Sequence, residues 1–115
     1  MILTASVYDK HGQNLGLRIL VMRNWPRGVR RDQIDIWIRE LAPSWELLLA
    51  CRAGGLMWEE FAGRYRLEME AQEEALQRVR ELEQRHGTVT LLCWEREENC
   101  HRFLLKNLLD QLSES

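Results

Sequence analysis

The chain reads as a small α/β domain, with a mostly parallel sheet of about four strands and helices packed on it, on three observations. Residues 88–93 (TVTLLC) are apolar or β-branched throughout, as in a strand covered on both faces. A helical apolar pattern from Asn99 onward (Phe103, Leu104, Leu105, Leu108, Leu109, Leu112) follows at once, and a helix directly after a buried strand is how parallel strands are connected. Upstream, three short strand-like runs precede two or three helical patterns, so both element types contribute to one core.

Each element has its own signal. Residues 2–8 (ILTASVY) are β-branched and aromatic and end in the turn-rich stretch 9–16, which gives a strand and a loop. Residues 17–23 (LRILVMR) form a nearly continuous apolar run, a second strand, and Trp25 to Gly28 (WPRG) make the loop at its carboxyl end. In residues 34–40 (IDIWIRE), Ile34, Ile36 and Ile38 alternate with Asp35, Trp37 and Arg39, so a third strand is expected with the isoleucines on one side. Pro43 stops it. Ser44 then caps a helix with an apolar core from Trp45 to Cys51 and Glu46 in its first turn, and Gly54 and Gly55 end it. Trp58, Phe61, Ala62, Tyr65 and Met69 recur at helical spacing, a stripe that reads as core. Ala75, Leu76, Val79 and Leu82 repeat the pattern with Glu74/Arg78 and Glu81/Arg85 outside, and Gly87 closes that helix.

The totals set limits on function. The 115 residues suit one domain spanning 1–115, and 45% apolar with 30% charged residues describes a compact protein. A net charge of -2 gives no whole-molecule reason to bind nucleic acid or an acidic membrane. That neutrality is a cancellation: residues 1–40 carry seven basic against four acidic side chains, and residues 41–115 carry nine against fourteen. No secretory leader or bilayer-length apolar run is read, and three cysteines make no disulfide framework, so a reducing cytoplasm is expected.

Two segments can carry chemistry. In CWEREENCHR, Cys93 ends a strand and Cys100 opens a helix, and ligands favour the carboxyl ends of strands in open α/β sheets. The helix dipole, His101 and Arg102 favour a Cys100 thiolate; Glu95, Glu97 and Glu98 oppose it. Cys100, His101 and Arg102 are therefore candidate catalytic residues, with Cys100 as nucleophile or redox thiol and His101 as its proton partner. Five residues separate Cys93 from Asn99, where a phosphatase cradle needs arginine, so that motif is rejected. The spacing lacks the close cysteine pairs of structural zinc sites, and no metal is expected. A Cys93–Cys100 disulfide is sterically conceivable.

The second segment is RNWPRG, residues 23–28. Arg23 and Arg27 suit carboxylate or phosphate, and Trp25 can cover a flat ligand; with Cys93 and Glu95 they are the candidate ligand-binding residues. The competing reading pairs these arginines with acids such as Asp32 or Asp35 and makes Trp25 a loop anchor. The expected partner is a small anionic or nucleotide-like ligand held by Arg23, Arg27 and Arg102; a protein–protein interaction module or homodimer without catalysis is the alternative. The cofactor is unknown.

RILVMRNWPRGV, WIRELAPS, WEEFAGRYRLEM and GTVTLLCWEREENCHRFLL together resemble the prokaryotic domain of unknown function 488 family, in its short single-domain form. The resemblance implies a compact α/β fold with these two loops as signature positions, and it supplies no reaction. Met22 stands where the family often has aspartate, and Ala53, Gly54 and Gly55 stand where a His-Asp-Pro-like loop is common.

Overall fold

A computed structural model describes residues 1–9, 15–94 and 100–114. Four strands, β1 (Ile2–Ser6), β2 (Leu17–Leu20), β3 (Ile36–Trp37) and β4 (Val89–Cys93), form one sheet in the order β1-β4-β2-β3. Every pairing is parallel. The helices are α1 (Trp45–Arg52), α2 (Trp58–Glu70), α3 (Glu73–His86) and α4 (His101–Glu114). The α/β class and the strand and helix order expected from the sequence are found.

β4 lies between β1 and β2, and all five of its residues are buried, which is why its sequence needs no polar alternation. Its register aligns Ser6 of β1 with Cys93 and Leu20 of β2 with Leu92, so three strands end at one level. The ladder runs slightly further through Val7 N–H to Cys93 O (2.8 Å) and Val21 N–H to Leu92 O (3.0 Å).

The two sheet faces are covered differently. Ile19, Val21, Val89 and Leu91 pack with Phe61, Tyr65, Met69, Val79, Leu105 and Leu109 from the helices. Leu20 and Leu92 point the other way into a smaller cluster with Val7, Val29 and Ile34, flanked by Trp25 and Trp37. The buried apolar residues of all four helices belong to the larger cluster. The loop after β2 supplies most of the other cover.

The third strand differs from its expectation. Only Ile36 and Trp37 pair with β2, between 3-10 turns at Arg31–Gln33 and Arg39–Leu41. Ile36 and Ile38 share the helical side, whereas Ile34 falls in the opposite cluster. Asp35 explains the break: its carboxylate accepts from the Arg18 backbone (2.8 Å) and guanidinium (3.0 Å), and its own N–H donates to Arg18 O (3.0 Å). That pairing fixes Asp35 at β2 and lowers its pKa, chiefly through the Arg18 hydrogen bond. β1 and β2 also end earlier than their apolar runs.

α1 departs in burial. Ser44 caps it as expected, its hydroxyl accepting from Leu47 N–H (3.2 Å). Only Leu47 is buried, however, while Trp45 and Leu49 are 45% and 57% exposed and Cys51 is exposed. An eight-residue helix has two turns, and one side is used against the core; the rest of its apolar run faces outward or lines a cavity.

Before β2, Gly16 has φ +66°, and a Cβ there would meet Thr88 O at 2.1 Å. Both the left-handed backbone and the close approach to the start of β4 require glycine. Gly16→Ala is expected to destabilise the fold by at least about 2 kcal/mol, seen as a lower midpoint in urea unfolding. An unchanged midpoint would contradict the close packing at this position.

Candidate active site

The carboxyl ends of β2 and β4 open into a cavity of about 390 Å³ walled by α1 and α2. Arg23 follows β2, Cys93 and Trp94 come from β4 and its exit, and Cys100 and His101 stand at the start of α4. Trp45, Arg52 and Trp58 form the opposite wall. A larger hollow of about 740 Å³ lies between α2, α3 and α4, but it is lined by glutamates, arginines and apolar side chains with neither thiol nor histidine. The smaller cavity is the chemically equipped one.

Its floor is a chain of three groups. The Cys93 and Cys100 sulfurs are 2.7 Å apart, both cysteines are buried, and neither is in a disulfide. The Cys100 sulfur is 3.6 Å from His101 Nδ1, and His101 Nε2 is 2.6 Å from Val21 O. A carbonyl only accepts, so Nε2 carries the proton and the neutral ring turns its Nδ1 lone pair toward Cys100. The edge of Tyr65 packs on that ring at 5.7 Å between centroids, and Tyr65 is itself anchored by its hydroxyl donating to Leu41 O (2.7 Å).

The protonation states follow from these contacts. Burial holds His101 down at about 4, with the Arg102 charge adding to the effect and the Val21 bond opposing it. The Cys100 thiol is pushed up, first by its hydrogen bond with Cys93 and then by burial; Arg102 pulls weakly the other way. Two thiolates in contact repel, so at least one of the pair stays a thiol and the Cys100 proton is held tightly.

Cys93, Cys100 and His101 Nδ1 lie within 4.8 Å of one another, a donor set suited to a soft metal ion. Two thiolates bound to one zinc at about 2.3 Å each stand about 3.8 Å apart. The sulfurs at 2.7 Å are therefore spaced for bonding to each other more closely than for sharing an ion.

The structure brings Arg23, Cys93, Cys100 and His101 together. Arg23 is fixed by Nε donating to Pro43 O (2.9 Å) and an NH2 group to Ala42 O (3.4 Å). Arg102 is buried beside the site, its guanidinium 4.6 Å from the Phe103 ring, and does not line the cavity. Trp25 lies on the other sheet face, donating to Val29 O (2.8 Å) and meeting Trp37 edge-on at 5.5 Å. Arg27 is exposed, and its carbonyl accepts from Tyr8 (2.8 Å). Of the acids weighed as arginine partners, Asp35 pairs with Arg18 and Asp32 with Arg30 (3.4 Å). Glu95, Glu97, Glu98 and the cap expected of Asn99 lie outside the described residues.

Arg52 and Trp45 were not singled out as site residues from the sequence. Their signal was present: positions 45, 48 and 52 share a helical face, and Trp45, Leu48 and Arg52 all line the cavity. Trp58, read as core, stacks on Phe61 (5.3 Å) and also lines it.

The depressed His101 sets a pH dependence. The unfolded chain takes up a proton near pH 6.5 that the folded chain refuses until about 4, so stability falls as pH drops through that window and levels below it. Between those limits the wild type should lose about 2 kcal/mol more than His101→Asn in urea unfolding, less than the full shift implies because the ring is only half-buried. Equal losses would mean that the fold does not favour the neutral ring.

Over residues 2–113 the sequence matches the family described as "Active DUF488-N3 subclade". It is 32% identical over 108 residues to the uncharacterised protein Rv3073c of Mycobacterium tuberculosis, covering 92% of this chain and 91% of that one. It is 30% identical over 108 residues to the uncharacterised protein YeaO of Escherichia coli, covering 92% and 94%. No solved structure matches. With nearly the whole chain matched, and with both signature segments placed around one sheet end, this protein belongs to the domain of unknown function 488 family, in its N3 subclade.

Proposed function

We propose that the cavity at the carboxyl end of the sheet binds a small anionic or nucleotide-like ligand and presents it to the Cys93, Cys100 and His101 cluster. One observation carries this reading: Arg23 is held by two backbone carbonyls at the cavity wall, with no carboxylate in ion-pair contact among the described residues. A positioned cation with no described carboxylate beside it favours an incoming anion, and the carbonyls spend only part of its donor capacity. Arg52 adds a second positive charge, and the indoles of Trp45 and Trp58 offer flat apolar surface.

Arg27 and Arg102, also expected to hold the ligand, do not line this cavity, so Arg23 and Arg52 take that role. Cys100 is the nucleophile or redox thiol, with His101 Nδ1 receiving its proton. The family description carries the word "Active", in keeping with a reactive cluster. Three cysteines outside any disulfide suit the reducing cytoplasm as its setting.

A non-enzymatic interaction module or homodimer is the second reading, favoured by the exposure of Trp45, Leu49, Met57 and Trp94. Calorimetric titration with AMP, ADP, inorganic phosphate and oxidised glutathione separates the two, alongside light scattering over a range of protein concentrations. We expect at least one of these anions to bind, Arg23→Gln to weaken it by about 1.5–3 kcal/mol, and a monomeric mass throughout. Silence with all four anions, or affinity indifferent to Arg23→Gln, would overturn the proposal; mass that doubles with concentration would favour the second reading.

A further inference from the structure

We infer that Cys93 and Cys100 are a redox dithiol that exchanges with small disulfides bearing carboxylates. This names a substrate class for the cavity and rests on the anion-binding reading above. The two sulfurs are in contact at 2.7 Å with no atom between them, and they need to close only to about 2.0 Å to bond. Both cysteines line the cavity, so an oxidant held there reaches them although each is buried. The third participant is already placed: His101, half-buried and fixed by Val21 O, directs its unprotonated Nδ1 at Cys100. Arg23 and Arg52 on the same walls give a carboxylate-bearing disulfide something to bind.

The exchange runs in two displacements. Cys93, as a thiolate accepting a hydrogen bond from the Cys100 thiol, attacks one sulfur of the bound disulfide RSSR. The Cys93–S–R bond forms, the R–S–S–R bond breaks, and the first RS⁻ leaves and takes a proton from solvent. With Cys93 carrying the adduct, its sulfur no longer holds the Cys100 proton, which moves by way of His101 Nδ1 to the departing RS⁻ as Cys100 attacks the Cys93 sulfur. The Cys93–Cys100 bond forms, the Cys93–S–R bond breaks, and the second RS⁻ takes the proton from His101. Two protein thiols are oxidised by two electrons, and RSSR is reduced to two RSH. The strong hold on the Cys100 proton agrees with this order, since it leaves Cys93 to attack first.

Cys51 is exposed at the cavity rim and would add a background thiol, so the test uses the full-length chain carrying Cys51→Ser. The reduced protein is mixed with oxidised glutathione, quenched in acid, and read by intact mass and peptide mapping. The expected result is a loss of about 2 Da, a mapped Cys93–Cys100 disulfide, and release of both halves of the oxidant as thiol. Adding Cys100→Ser should stop the reaction at a Cys93 adduct. Thiols that stay reduced, or a Cys100→Ser chain that still releases both halves, would overturn the inference.

Neutral 2-hydroxyethyl disulfide separates this claim from the one beneath it. Oxidised glutathione should react about tenfold faster than the neutral reagent, and Arg23→Gln should remove that advantage. Oxidation by both reagents at equal rates, untouched by Arg23→Gln, upholds the dithiol and removes the anion-binding reading. Anion binding sensitive to Arg23→Gln, with no oxidation by either reagent, removes the dithiol alone.

Discussion

The strand from Val89 to Cys93 meets water on neither edge nor either face, so its peptide groups must find partners in β1 and β2. That requirement fixes the register of three parallel strands at once, and the register decides where each chain leaves the sheet. Ser6, Leu20 and Cys93 end together, and the residues just beyond them are delivered to one side of the molecule. Ser6 reinforces the arrangement, its buried hydroxyl donating to Trp94 O (3.0 Å) and holding the exit from β4. The parallel pairing thus turns residues distant in sequence into neighbours, as open α/β sheets do at the carboxyl ends of their strands.

At that edge, local electrostatics divide the labour. The cysteines and imidazole bond among themselves: the two sulfurs touch, Cys100 faces His101 Nδ1, and the imidazole proton is committed to Val21 O. The permanent charge comes from arginines anchored elsewhere. Arg23 rests on the carbonyls of Pro43 and Ala42, between the third strand and the α1 cap, so its position is set by backbone. The Arg23 guanidinium therefore rests on backbone outside the thiol cluster.

What was legible in the sequence depended on how local its cause was. β4 could be read from its own composition, because burial on both faces leaves a continuous apolar run. The cap at Ser44 could be read from one hydroxyl beside a helix start. The third strand could not: Ile34, Ile36 and Ile38 alternate as in a strand, but the Arg18–Asp35 pairing, spanning 17 residues, decides the backbone there. The cysteine cluster was half legible. Cys93, Cys100 and His101 stood out as residue types at a strand-to-helix junction, whereas contact between sulfurs seven residues apart depends on how β4 and α4 meet. Trp25 and Arg27 belonged to a conspicuous loop that the chain folds over the other face of the sheet, a choice made by the apolar surface of Leu20 and Leu92.

The hydrogen bond from His101 to Val21 has a mechanical side as well as a chemical one. It joins residues 80 positions apart, tying the first turn of α4 to the backbone leaving β2, and Arg23 is attached two residues further on. His101 and Arg23 consequently hang from the same short tether. A displacement of His101 would pull on the strand exit that carries Arg23, and a displacement of Arg23 would pull in return on the imidazole beside the thiols. A tether works in both directions, so the placement of Arg23 and the setting of the sulfur pair are joined through three residues of backbone.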